Sequence, residues 1–195
     1  GWGLVEPVFA VFIMERINNA TIVTIGFAAA TYWIAKSLMQ MPVAIALDKI
    51  KGERDDYAIL ILGLFLSGLA AFSLLLVHEI WQLYLTKLVQ AFAFALYIPA
   101  WYSIFSHHLD PGHNSYEFSL DSTVVGLAAG LMGILSGLLA DWLGFSFIFA
   151  IAGVMSLMAA VVIFLVPKTI FPAVAFRGGF KGYMVGDHTP KSIHK

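Results

Sequence analysis

The 195-residue chain contains no cysteine and few charged residues. Without cysteine it can form no disulfide, no thiolate metal site and no thiol nucleophile. Charged residues make up 12% of the sequence, against about 25% in soluble domains, whereas 60% of the residues are hydrophobic. The net charge of −1 argues against a nucleic-acid partner, because binding phosphates requires a cationic excess. So little charge cannot cover the surface of a water-soluble globule, and the composition therefore predicts a chain surrounded by lipid.

Apolar segments occur six times along the chain, and a bilayer core takes about 20 such residues as helix. Their richness in Leu and Ala, without alternating polarity, favours helices over strands. We predict an all-α membrane protein with a six-helix bundle over 1–166 and a polar C-terminal tail over 167–195. The first segment is short, and we expect residues before it to be absent from the sequence. The six segments are Trp2–Met14, Thr21–Leu47, Tyr57–Val77, Trp81–Phe105, Ser119–Ala140 and Phe145–Val166.

Basic residues in the connections predict the orientation of the spans, because cytoplasmic loops carry an excess of Lys and Arg. The second connection contains Lys49, Lys51 and Arg54, and the tail contains five further basic residues. The opposite side contains only Arg16. We therefore expect both termini to be cytoplasmic in a multi-pass protein of a bacterial-type plasma (inner) membrane.

The segment after the second span reads Ala44-Ile-Ala-Leu-Asp48-Lys49-Ile-Lys51-Gly52-Glu-Arg54. It resembles the signature G-x-x-x-D-R/K-x-G-R/K-R/K between helices two and three of major facilitator superfamily transporters. Ala44 stands in place of the first Gly, and Gly52 comes one position late. By this resemblance Asp48 meets a neighbouring helix N-terminus, where the macrodipole favours an anion, and latches one conformation. The alternative is an ordinary solvated loop. The gating loop predicted by the resemblance comprises Asp48, Lys49, Lys51, Gly52 and Arg54.

Two further segments are similar to patterns of the same family. Lys87-Leu-Val-Gln90-Ala in span four is similar to R-x-x-Q-G of helix four, and Asp141-Trp-Leu-Gly144-Phe is similar to the turn between helices five and six. The Gly-Pro of the antiporter signature is absent. The resemblance implies one six-helix half of a secondary transporter that moves a small solute by alternating access. The second half would be another copy of the chain, in a homodimer, a different chain, or a segment missing from the sequence. The alternative is a non-transporting membrane subunit or scaffold with the same fold.

Span five contains four glycines separated by four, three and four residues, which places them on one helical face. A strip of small residues lets two membrane helices approach closely. We predict that this strip contacts the second half; the alternative is packing within its own bundle. The predicted packing interface comprises Gly126, Gly130, Gly133 and Gly137.

Ionisable groups within spans are costly and by default mark a functional site or a buried pair. Glu6 and Lys36 lie near the middle of spans one and two, where they could form an ion pair. The family resemblance places helices one and four at a central cavity and helices two and five at the contact between halves. We expect a substrate or proton site formed by Glu6, Tyr32, Lys36, Lys87 and Gln90. The alternatives are a structural ion pair, or a Lys87 that snorkels to the outer surface.

Chemistry other than transport has little support in the sequence. No nucleophile has a base nearby, no glycine loop suits a phosphate, and we expect no enzyme activity and no cofactor. The segment His107-His108-Leu-Asp110-Pro-Gly-His113 has the ligand types of a zinc site. Its Pro-Gly pair makes it a turn in which His is readily tolerated, so we predict no metal. The expected partners are a small-molecule solute, membrane lipid and a second six-helix unit.

Overall fold

The computed structural model describes residues 1–49, 53–109 and 113–165. These ranges form six α-helices and contain no β-strand, which confirms the predicted all-α class. A short 3₁₀ turn, Leu74–Leu76, follows the third helix. The helices are α1 Trp2–Arg16, α2 Ile22–Lys49, α3 Glu53–Ser73, α4 Ile80–His107, α5 Asn114–Leu143 and α6 Phe145–Leu165.

The helices α2 to α6 are each long and apolar enough to cross a membrane. Helix α1 has 15 residues, which gives about 22 Å of rise against a hydrocarbon core of about 30 Å. Helix α5 begins at Asn114, five residues before the apolar run that predicted it. Its added polar turn includes Glu117, and an acidic group in the first turn stabilises a helix N-terminus. The predicted tail over 167–195 lies outside the described residues.

The packing of the helices follows an internal repeat. Helix α1 packs on α5 and α6, α2 packs on α4, and α3 packs on both α4 and α6. Let α1, α2 and α3 correspond to α4, α5 and α6. The contact of α1 with α5 then corresponds to that of α4 with α2, and the contact of α1 with α6 to that of α4 with α3. The contact of α3 with α6 corresponds to itself. Because each repeat has an odd number of helices, the second copy runs in the opposite sense. These three pairs have the pattern of an inverted-topology repeat, whereas the α5–α6 and α1–α2 contacts have no comparable counterpart among the described helices.

The connections α1–α2 and α3–α4 meet at one end of the bundle. The Asn18 amide N–H donates to the carbonyl of His78 at 3.1 Å, and its side-chain amide donates to Glu79 at 3.0 Å. Glu79 also forms a capping box with Gln82 at the start of α4. These hydrogen bonds hold the α1–α2 and α3–α4 connections together at one end of the bundle. That placement is expected when successive helices run in alternating directions.

Close helix approaches in the bundle depend on glycine. A Cβ atom at Gly63 of α3 would lie 2.8 Å from the backbone nitrogen of Tyr97 in α4. A Cβ atom at Gly153 of α6 would lie 2.7 Å from the Phe72 ring. Small residues at such crossings allow membrane helices to pack backbone against backbone. These contacts hold α3, α4 and α6 together.

Helices α2 and α5 are the least covered by the rest of the chain. In their most apolar stretches 11% and 6% of the residues are buried, against 39% for α3 and α4 and 33% for α6. The large side chains that α2 leaves exposed include Phe27, Trp33 and Leu38. Much of the surface of these two helices therefore has no neighbour among the described residues.

Candidate functional site

Lys87 of α4 has its charged end inside the bundle. The side chain is 4% exposed, and Gln90, one turn further along α4, is 1% exposed. The ammonium Nζ donates a hydrogen bond to Gln90 Oε1 at 2.9 Å. It also lies 3.5 Å from the centroid of the Phe9 ring of α1. Lys87 does not snorkel, because its charge ends between α1 and α4 and not at the surface of the chain.

Burying an ammonium group in a membrane protein is costly unless an opposite charge or hydrogen-bond acceptors offset the lost hydration, and Lys87 has few such partners among the described residues. The Phe9 and Tyr32 rings contribute cation–π attraction, with the Tyr32 centroid 5.7 Å from Nζ. Glu6 interacts electrostatically with both Lys87 and Tyr32, but no ion pair joins it to Lys87 in the part of the chain described. The contacts of the Lys87 ammonium among the described residues are thus Gln90 and two aromatic rings.

Lys36 of α2 lies over aromatic rings of its own helix. Its Nζ is 4.6 Å from the centroid of Trp33 and 5.8 Å from that of Tyr32. Over the described ranges it forms no ion pair with Glu6, because the side chain folds back along α2. Tyr32 is therefore the residue that links the two ammonium groups, since its ring lies within 6 Å of each.

Glu6 lies on the exposed face of α1, beside a proline and a contact with α5. Pro7 has no N–H, so it leaves a carbonyl of the preceding turn without its helical partner. The hydroxyl of Ser136 in α5, which is fully buried, donates to the carbonyl of Leu4 in that turn. This interhelical hydrogen bond fixes the turn of α1 that carries Glu6.

An aromatic chain extends from Lys87 along α4. Phe94 packs edge-on against Tyr32 at 6.0 Å, against Tyr97 at 5.7 Å and against Trp2 of α1 at 5.6 Å, measured between ring centroids. The indole nitrogen of Trp2 is buried and has no hydrogen-bond partner among the described residues. Burying a donor without an acceptor costs about 1–3 kcal/mol. The site is thus lined by rings and contains one buried donor, the Trp2 indole N–H, for which the described residues supply no acceptor.

Three side chains of the site, Trp2, Phe9 and Phe94, are not among the residues predicted from the sequence. Phe94 follows Lys87 by seven residues, which places both on one face of α4. That spacing is the sequence signal that could have identified Phe94. Trp2 and Phe9 belong to the site because α1 lies next to α4, and no local pattern in the sequence predicts that contact.

Asp56 is a further buried polar residue, away from this site. The predicted span boundaries place it in a connection, but α3 begins at Glu53 and Asp56 is 4% exposed in its first turn. Its carboxylate accepts a hydrogen bond from Ser103 of α4 at 2.7 Å. A carboxylate near a helix N-terminus is favoured by the macrodipole. Asp56 therefore joins the beginning of α3 to the last turns of α4.

The predicted gating loop is described only in part. Asp48 and Lys49 are exposed at the end of α2, where a cation such as Lys49 is favoured by the helix dipole. Lys51, Gly52 and the side chain of Arg54 lie outside the described residues. The latch role of this loop stays a prediction.

The four glycines of α5 lie mostly away from the bundle. A Cβ atom at Gly126, Gly130 or Gly137 would meet no other atom within 4 Å, and one at Gly133 would lie 3.5 Å from Pro7. Three of the four positions therefore have no neighbour within the described chain. Their contact with a second half stays a prediction.

The histidine-rich segment contributes no metal site in the described ranges. No group of three potential ligands from His, Cys, Asp and Glu is found there. His108 Nδ1 instead lies 2.9 Å from the carbonyl of Ile104 in its own helix. Asp110, Pro111 and Gly112 lie outside the described residues.

Comparison with known proteins identifies one family. The sequence model described as Major Facilitator Superfamily matches residues 1–191. No curated protein and no solved structure matches the chain. The family match covers all six helices and the polar site between α1, α2 and α4.

Proposed function

The chain belongs to the major facilitator superfamily, and from this membership we propose that it is one six-helix half of a secondary transporter. The membership confirms the resemblance identified from the three sequence motifs. Members of the family are membrane transporters, not enzymes, and we propose transport without enzymatic activity for this chain. The solute moves by alternating access, in which two halves rock around a site near the middle of the membrane.

The observation that carries this proposal is the group of polar side chains at the crossing of α1, α2 and α4. Lys87 and Gln90 are buried there, Tyr32 contacts Lys87, and Glu6 lies within electrostatic range. Ionisable groups within spans are rare and by default line substrate or ion pathways. We propose that Glu6, Tyr32, Lys36, Lys87 and Gln90 bind the solute or a coupling proton.

Two features support a second half. Glu6 lies within α1 and is exposed in the single chain, and a carboxylate facing hydrocarbon would be strongly unfavourable. Helices α2 and α5 are also largely uncovered. A second six-helix unit placed over α2 and α5 would cover both and enclose Glu6 in a polar cavity. We propose a homodimer in the plasma (inner) membrane with cytoplasmic termini, in which the glycine strip of α5 lies at the contact.

A non-transporting subunit or scaffold is the second candidate function. Lys87 and Gln90 form a closed, hydrogen-bonded pair in the buried interior, which is what a purely structural polar pair would look like. The substitution of Ala44 for the motif glycine also fits a chain that has lost the transport cycle. A scaffold would keep Glu6 and Gln90 inaccessible to water.

The absence of cysteine makes this distinction testable. Single cysteines introduced as Glu6→Cys and Gln90→Cys in membrane vesicles should react with a membrane-impermeant thiol reagent. The matched control is Val162→Cys on the exposed side of α6, which should stay unreactive if that side faces lipid. Protection of both site cysteines to the level of the control would contradict the transporter proposal.

Uptake into proteoliposomes tests transport directly. The purified chain is screened with a library of radiolabelled sugars, amino acids, organic anions and organic cations. We expect uptake of at least one class, reduced at least tenfold by Glu6→Gln and by Lys87→Met, and unchanged by Arg16→Met at the exposed end of α1. Uptake that neither site substitution alters would show that the site is assigned wrongly.

A further inference from the structure

The charges that face the crossing of α1, α2 and α4 are not balanced. Lys36 and Lys87 contribute two ammonium groups, and Glu6 contributes one carboxylate that interacts with Lys87. Neither ammonium forms an ion pair among the residues described. Asp121 of α5 interacts with Tyr97 further along α4. The part of the site around Tyr32 therefore has an excess of one positive charge.

Hydrogen-bond donors are also in excess in this region. An ammonium group has three donors, and among the described residues Lys87 Nζ has the single acceptor Gln90 Oε1. The buried Trp2 indole N–H has no acceptor in the same part of the chain. A site with buried donors strongly prefers a ligand that supplies the missing acceptors, since an analogue without them leaves the donors unpaired. The missing partner is thus an acceptor that carries negative charge.

The two donors are separated by an aromatic surface. The Trp2 ring packs on Phe94, Phe94 packs on Tyr32, and Tyr32 lies 5.7 Å from Lys87 Nζ. Lys87 and Phe94 are seven residues apart on α4, which corresponds to about 10 Å of rise. A ligand that reaches from Lys87 towards Trp2 would lay an apolar or aromatic body along these rings.

We propose that the solute is an organic anion, with a carboxylate or similar acidic group at Lys87 and an apolar, aromatic-sized body along Tyr32 and Phe94. The inference rests on the proposed transport function and names the substrate class for the same site. An organic cation would be repelled by the two ammonium groups. A sugar carries no negative charge to balance the ammonium groups.

Three probes of nearly the same shape and different charge test the proposal: phenylbutyrate, phenylbutyramide and phenylbutylamine. Binding to the full chain in detergent is measured by isothermal titration calorimetry. We expect phenylbutyrate to bind at least tenfold more tightly than the amide or the amine. Equal or tighter binding of the amide or the amine, or no binding of phenylbutyrate at millimolar concentration, would overturn the proposal.

Substitutions then connect binding to the named donors. Lys87→Met should weaken phenylbutyrate binding at least tenfold, Lys87→Arg should keep most of it, and Arg16→Met should leave it unchanged. Trp2→Phe keeps a ring and removes the buried donor, so it should weaken binding severalfold and serves as the test if Lys87→Met fails to fold. Unchanged affinity in folded Lys87→Met, or in Trp2→Phe when Lys87→Met cannot be prepared, would contradict the assignment.

Failure of this inference is distinguishable from failure of the transport proposal. Uptake of a neutral or cationic solute that depends on Lys87 would support the transporter proposal and contradict the proposal that the solute is an organic anion. Binding of phenylbutyrate that depends on Lys87, with Glu6→Cys and Gln90→Cys inaccessible to water and no uptake, would support an anion site in a protein that does not transport.

Discussion

Gln90 is the acceptor that makes the burial of Lys87 tolerable. It is almost fully buried, and its Oε1 is the hydrogen-bond acceptor of the ammonium group. Removing one partner of a buried polar pair leaves the other unsatisfied, which costs more than the pair itself contributes. The effect of a substitution here should therefore depend on what remains at position 87.

We predict that Gln90→Leu lowers the free energy of unfolding by about 1–3 kcal/mol, because it leaves the Lys87 ammonium without its acceptor. The double variant Lys87→Met/Gln90→Leu should be more stable than Gln90→Leu alone, since no unpaired donor remains. Unfolding in detergent of the wild type, both single variants and the double variant measures this coupling. Additive effects of the two substitutions would contradict it.

The pair formed by Asp56 and Ser103 makes a second prediction at the residue scale. Ser103→Ala removes the hydroxyl that donates to the buried Asp56 carboxylate, and we expect a loss of about 1–3 kcal/mol in unfolding free energy. The control is Ser106→Ala, since Ser106 is exposed and its hydroxyl donates to the Ser103 carbonyl in its own helix. It should change stability by less than about 0.5 kcal/mol. Similar effects of the two substitutions would show that the Asp56 contact contributes little.

At the scale of helices, the length of the apolar runs correctly predicted the six α-helices found over the described residues. Each run is bounded by polar residues, and hydrocarbon leaves the backbone no partner outside the helix. Helix rotation, in contrast, is not encoded in these runs, because they are apolar on nearly every side. The expected contact of Lys36 with Glu6 depended on rotation, and in the structure Lys36 lies over Trp33 instead. The positions of Phe9 and Trp2 in the site likewise depend on helix rotation, which the sequence does not encode.

The beginning of α3 shows a second limit of the sequence. Charged residues at 53–56 suggested a solvated connection, yet they form the first turn of the helix, and Asp56 is buried against α4. A hydropathy pattern cannot separate an acidic loop from an acidic first turn. The Ser103 hydroxyl, 47 residues further along the chain, donates to the buried carboxylate, and no local sequence pattern reports this contact.

Gly63 makes the prediction that belongs to helix packing. Gly63→Ala would place a Cβ atom 2.8 Å from the Tyr97 backbone nitrogen and 2.9 Å from the Ala93 carbonyl, so α3 and α4 must move apart. We expect a loss of about 1–3 kcal/mol from overpacking. Gly26→Ala in α2 is the matched control, because its Cβ atom meets nothing within 4 Å. It should stabilise the helix by up to about 1 kcal/mol. Thermal unfolding of both variants checks the contrast, and destabilisation of equal size would contradict it.

At the scale of the whole molecule, the described helices form a bundle in which α2 and α5 are the least buried of the candidate membrane spans. The proposed homodimer places these two helices against their copies. Nothing in the local sequence reports on this contact beyond the spacing of the α5 glycines, because an uncovered apolar face suits lipid and protein equally well.

We predict that the chain in mild detergent has the mass of a dimer by light scattering after size-exclusion chromatography. Gly130→Trp adds a large side chain to the open face of α5 and should shift the protein to monomer. Val162→Trp, on the exposed side of α6, should leave the mass unchanged. A monomeric wild-type chain that still transports would rule out the two-halves arrangement.

The hydrogen bond from Ser136 to the Leu4 carbonyl ties α5 to α1 two residues from Glu6. A displacement of α5 against a neighbouring half would therefore pull on the turn that holds the carboxylate, and the adjacent Pro7 leaves that turn with one restraint fewer. This hydroxyl group is thus one of the contacts through which motion at the outer face of α5 would reach the carboxylate that interacts with Lys87. Ser136→Ala would remove that contact while leaving every charged group in place.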